Sequence, residues 1–228
     1  MGVHDGHRDR LRQSYLEHGL QGMNDINALE LLLFYAIPRR DTNETAHRLL
    51  ERFGSLDGVF SATLEELKEV EGIGENAAAL LTLIPEIMKK SRVSRAHEIR
   101  QIRSSDDAGA YLLPYFLNER EEVVYLLCLD AKRCVISCPE VGRGVVNSVN
   151  TGIRRIVERA LKARACSVIL AHNHPDGIAL PSREDEMFTR ALFNALETVS
   201  IRLEDHIIVA EDDYTSMADT CLLDARRR

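Results

Sequence analysis

Two regions with different hydrophobic periods divide this chain. Through the first 95 positions apolar residues recur at helical spacing; from position 108 onward they gather in short strand-like runs separated by turn signals. DINALELLLFYAI (25–37) predicts a helix with Asp25 as N-cap. DTNETAHRLLERFG (41–54) predicts another that opens on Asp41 and closes on Gly54 at the C′ position. SATLEELKEVEGIGENAAALLTLIPEIMKK (61–90) reads as two helices joined by the hairpin Glu71-Gly72-Ile73-Gly74. Residues 1–95 are therefore expected to form an all-helical domain. SRVSRAHEIRQIRSSDD (91–107) is polar and basic with few large apolar side chains, and 96–107 is taken as a linker. Beyond it, EVVYLLCLDAKRCVISCPEVGRGVVNSVN (122–150) predicts two or three adjacent strands, and TGIRRIVERALKARA (151–165) a helix. CSVILAH (166–172) follows as a buried strand, SREDEMFTRALFNALETV (182–199) as a helix and IRLEDHIIVAED (201–212) as a further strand. Strands alternating with helices predict a layered α/β domain over 108–228.

Composition narrows this picture without changing it. The 228 residues are 45% hydrophobic, enough for one large or two small cores. No apolar run approaches the length of a membrane span, and MGVHDGHRDRLRQSYLEHG at the start is polar, so a cytoplasmic protein with no membrane partner is expected. Five cysteines (Cys128, Cys134, Cys138, Cys166 and Cys221) lack any close C-x2-C pair and read as buried free thiols. A formal charge of −7 disfavours extended wrapping of nucleic acid but leaves room for a local phosphate contact.

The chemistry concentrates where the strand CSVILAH ends. Side chains two apart on a strand share a face, so His172 and His174 in H-N-H-P-D-G converge on one point while Asn173 turns away. Pro175 and the Asp176-Gly177 turn stop the strand there. Ser182 and Asp185 follow at i and i+3 on the next helix, completing H-x-H-x7-S-x2-D. Two imidazoles and a carboxylate are a three-ligand zinc set with a fourth position open for water. Ser182 and Asp185 also fit the S-x-x-[DE] capping box, a purely structural role. The H-E-x-x-H helix of zincins and the H-x-E/P-C-x-x-C pattern of nucleobase deaminases are both absent.

These residues match the JAMM (MPN-plus) metalloprotease signature, and H-N-H-P-D-G resembles the H-N-H-P-[ST]-G motif of the RadC family. A helical segment with a helix-hairpin-helix at Gly72-Ile73-Gly74 and the strand Asp205-His206-Ile207-Ile208-Val209 extend the resemblance over nearly the whole chain. It implies a cytidine-deaminase-like mixed α/β sheet with flanking helices behind a small all-α domain. It further implies Zn2+ held by His172, His174 and Asp185, with Ser182 bonding the water or the tetrahedral oxyanion. The family's general base is an upstream glutamate; Glu140 in C-P-E-V-G-R-G is the choice here, with Glu122 and Glu158 as weaker candidates. Asp176 departs from the family's Ser or Thr. His206, beside Asp205, is either a partner of a zinc ligand or a structural feature.

The expected activity is that of a zinc metallopeptidase cutting an amide or isopeptide bond in a protein or peptide. The alternative is a non-catalytic DNA-associated repair or recombination protein that binds DNA through its helix-hairpin-helix. Backbone N–H groups at Gly72-Ile73-Gly74 suit a phosphate, but Glu69, Glu71 and Glu75 flank them and favour a packing role. Arg226-Arg227-Arg228 reads as a solvated tail, and a homodimer is left open.

Overall fold

A computed structural model describes residues 3–38, 40–144, 149–175 and 177–220; Asp176, Cys221 and Arg226-Arg227-Arg228 lie outside it. The chain divides into two compact units, 1–88 and 89–228, each with its own core.

The first unit is all-helical: α1 (Val3–His18), α2 (Asp25–Ala36), α3 (Asn43–Phe53), α4 (Leu56–Ser61), α5 (Leu64–Lys68) and the start of α6 (Glu75–Ala96). Leu29, Leu33, Leu49, Leu67 and Leu81 fill its interior. The caps fall one residue from where the sequence pattern puts them. Asn24, not Asp25, caps α2, its side chain accepting from Asn27 N at 2.8 Å, while Asp25 sits in the first turn, where its charge suits the helix dipole. At α3, Thr42 occupies the cap position and Asp41 reaches past it to accept from Asn43 N at 2.9 Å. Gly54 ends that helix at φ +82°, as its position predicts.

The second unit begins inside α6, so the helical pattern outlasts the first core. The expected linker is not free chain. Ile102 is fully buried and its N–H donates to Arg133 O; Val135 N donates to Arg100 O, and Gln101 bridges to Cys134. Few apolar side chains made the segment look unattached, but Ile99 and Ile102 suffice to dock it. α7 (Ser105–Leu112) follows, capped by Ser104, and a 3-10 turn at 113–116.

Among the described residues six strands form one mixed sheet: β1 (Val123–Leu129), β2 (Val135–Ser137), β3 (Glu140–Arg143), β4 (Ser167–Asn173), β5 (Arg202–Ala210) and β6 (Asp213–Ser216), in the order β2-β1-β4-β5-β6 with β3 also on β1. β1 runs antiparallel to β4, and β4 parallel to β5. Strand parity sorts the side chains into two cores. Leu126, Cys128, Val168 and Leu170 pack with Ile156 of α8 (Val149–Lys162) and with Leu192 and Leu196 of α9 (Arg183–Glu197). Tyr125, Leu127, Ile169, Ala171, Ile207 and Val209 meet Tyr111, Leu112 and Phe116 on the other face. Of the described cysteines all are free, but only Cys128 is fully buried and Cys166 is exposed.

Candidate metal centre

β4 carries a near-continuous apolar run because both of its faces are covered, and it delivers His172 and His174 at its C-terminal end. His172 shares a face with Leu170, the face under α9, and α9 begins at the same end of the sheet. Asp185 in the first turn of α9 therefore meets the histidines. His172 Nε2 lies 3.0 Å from His174 Nε2 and 3.1 Å from Asp185 Oδ1, and His174 Nε2 lies 3.4 Å from Asp185 Oδ2. Among the described residues this is the only group of three or more His, Cys, Asp or Glu side chains arranged to hold a metal ion.

Two Ser182 donors, the hydroxyl and the backbone N–H, reach Asp185 Oδ2, an arrangement that suits a carboxylate anion. His174 Nδ1 faces the Ile178 carbonyl at 3.1 Å, and a carbonyl only accepts, so Nδ1 carries the proton and the neutral ring leaves Nε2 bare. Bare lone pairs and a carboxylate so close together repel unless a cation lies between them. Tetrahedral zinc with bonds of about 2.0–2.1 Å has ligand–ligand edges of roughly 3.3–3.4 Å, close to the separations here. The residues present fit the ion.

Ser182 caps α9 and is fully engaged in doing so. Its hydroxyl donates to Asp185 Oδ2 at 2.7 Å and accepts from Asp185 N at 3.1 Å, while its own N–H donates to the same Oδ2 at 2.8 Å. The capping box and the ligand geometry are one arrangement: Ser182 holds Oδ2 and aims Oδ1 at His172.

Glu140 is not brought to the cluster. It pairs with Tyr125 across β1, and cross-strand partners share a face; Tyr125 faces the core opposite the histidines. Burial first, then the charges of Glu119 and Glu140, push the Tyr125 phenol up to about 12. Arg143 donates to both Glu140 oxygens and reaches Glu119 at 2.6 Å. Glu158 is an exposed partner of Arg154 on α8. Val124 is set against His172 in the register of β1 and β4, and the exposed Glu122 lies two residues earlier, just before β1 begins.

Asn173 and Thr189, to which the sequence assigned no role, and His206, which it offered as either a partner of a zinc ligand or a structural feature, surround the cluster. The buried Asn173 accepts from Val123 N at 2.8 Å and donates to Glu121 O at 3.1 Å, bonding the peptides on either side of Glu122. His206 Nε2 lies 2.8 Å from His172 Nδ1, and Thr189 Oγ1 lies 2.6 Å from His206 Nδ1. A polar residue between two ligands, and a histidine within an apolar strand, were the available signals.

The family described as RadC-like JAB domain matches residues 102–222, and a helix-hairpin-helix motif matches 42–83. Relatives include a UPF0758 protein of Burkholderia cenocepacia, 36% identical over 94% of this chain and 83% of its own length. Another, from Methylibium petroleiphilum, is 36% identical over 94% of this chain and 96% of the relative. A third, from Fusobacterium nucleatum, is 32% identical over 96% of this chain and 97% of the relative.

Proposed function

This chain belongs to the RadC-like JAB domain family, and from that premise we propose that it is a zinc-dependent hydrolase cutting an amide or isopeptide bond in a peptide or protein. The observation that carries the reading is the convergence of His172 Nε2, His174 Nε2 and an Asp185 carboxylate oxygen within 4.8 Å of one another. His172, His174 and Asp185 would hold the ion. When bound, zinc supplies Lewis acidity toward a carbonyl and lowers the pKa of a coordinated water to about 7.

Glu122 rather than Glu140 is the group suited to take the proton of the attacking water and pass it to the leaving nitrogen: it precedes Val124, the residue set against His172, by two, and strand alternation would carry it to the same face. Asn173 fixes that glutamate through the peptides flanking it. Ser182 acts through Asp185, whose second oxygen it holds, and not as an oxyanion donor. The test is cleavage of a peptide library read by mass spectrometry. Zinc-loaded protein should cut, chelator should abolish cutting and added zinc should restore it; cleavage that persists in chelator would overturn the reading.

A DNA contact through Gly72-Ile73-Gly74 is a second reading, favoured by one observation. Glu69 and Glu71, two of the three charges that oppose a phosphate there, are ion-paired with Arg52 and Arg48.

A further inference from the structure

We propose that Thr189 and His206 are positioning residues that set the tautomer of His172, so that its metal-facing nitrogen is the unprotonated one. This rests on the metal-centre reading above, but its geometry stands by itself. Four groups on three elements form a chain that leaves Asp185 and returns to it. His172 Nδ1 meets His206 Nε2 at 2.8 Å, His206 Nδ1 meets Thr189 Oγ1 at 2.6 Å, and Thr189 Oγ1 meets the Asp185 carbonyl at 2.5 Å. All three residues are at least 97% buried, so water does not compete for these bonds.

The direction of every bond follows from the carbonyl end. Asp185 O has no proton, and two oxygens at 2.5 Å repel unless a hydrogen lies between them, so Thr189 donates to Asp185 O. Its only proton is then committed, so the contact with His206 requires His206 Nδ1 to donate. A neutral His206 protonated at Nδ1 presents a bare Nε2, which can only accept. His172 Nδ1 must then carry the proton, and Nε2, the atom facing His174 and Asp185, is left as a lone pair. Three hydrogens match three acceptors, and none points into the centre.

The chain also ties one ligand to another. Thr189 lies one turn after Asp185 on α9, so the bond that fixes the His172 ring closes on the backbone of the residue carrying the carboxylate. Partners of this kind typically contribute about 10–100-fold in metal affinity.

The experiment pairs histidine 15N spectra of metal-free protein at pH 8 with zinc affinity by chelator competition, on the parent, Thr189→Val and Thr189→Ser. His172→Gln identifies the His172 signals. The parent should show His172 with a protonated Nδ1 and a bare Nε2. Thr189→Val should lose that single tautomer and bind zinc roughly 10–100-fold more weakly; Thr189→Ser, which keeps the hydroxyl, should stay close to the parent in both. A parent His172 protonated at Nε2, or a Thr189→Val affinity equal to the parent's, would overturn the proposal. Should the parent bind no zinc, the metal reading fails while the spectra still decide the tautomer.

Discussion

In the proposed reaction, strand parity separates the two candidate carboxylates for the attacking water. Glu122 and Glu140 both lie near the entry to the sheet, but strand alternation would carry Glu122 to the face of Val124 and His172, and Glu140 shares the face of Tyr125. Glu122→Gln is therefore expected to lower cleavage roughly 10²–10⁴-fold, and Glu140→Gln to leave it within a few-fold, in a rate assay on the same peptide. The cluster of His172, His174 and Asp185 was legible in the sequence because its relation is local: two histidines at strand spacing, then an aspartate in the first turn of the next helix. The face of each glutamate was not, because it is set by register between β1, β3 and β4, and a bulge at Val124/Tyr125 shifts that register. A second residue-scale expectation concerns Glu119, which bridges Lys89 at 2.5 Å and Arg143 at 2.6 Å. Burial pushes its carboxyl up, but the two cations outweigh burial and hold it below its ordinary value. A depressed folded-state pKa stabilises fully above the unfolded value, near 4.5, and the gain is lost as pH falls below it. Glu119→Gln should lower the thermal midpoint at pH 7, and the gap to the parent should close toward pH 3.

Among the elements, the turn between α5 and α6 depends on a backbone that only glycine adopts easily. Gly72 sits at φ +96°, and a Cβ there would lie 2.6 Å from Thr45 Oγ1. Gly72→Ala should destabilise the first unit by ~1–3 kcal/mol, seen as a lower urea midpoint for its helical signal, with zinc content unchanged. Helices with strong periodicity and strands with buried runs were readable from the pattern alone. The 97–104 segment was not, because its place comes from hydrogen bonds with partners distant in sequence, Arg133 and Cys134; β6 was not either, although it pairs as a hairpin with the adjacent Ile207 to Ala210. The caps slipped by one residue because Asn24 and Asp41 compete with equally good neighbours, and only the backbone angle chooses.

At the scale of the whole molecule, a chain of charge −7 joins a helix-hairpin-helix unit to a sheet whose one end gathers two histidines and an aspartate. None of the described helices is long and apolar enough to cross a membrane. If the metal centre is the working part, duplex DNA should bind the full chain no tighter than the roughly 10⁻⁴–10⁻⁶ M of non-specific contacts at physiological salt; fluorescence anisotropy checks this, and a much tighter value would favour the DNA-associated reading. The most direct measurement is the zinc content of purified parent, His174→Ala and Glu122→Gln by elemental mass spectrometry. Near-stoichiometric zinc in the parent, lost in His174→Ala and kept in Glu122→Gln, is the predicted result. Zinc absent from the parent, or undiminished in His174→Ala, would contradict a centre built on these three side chains.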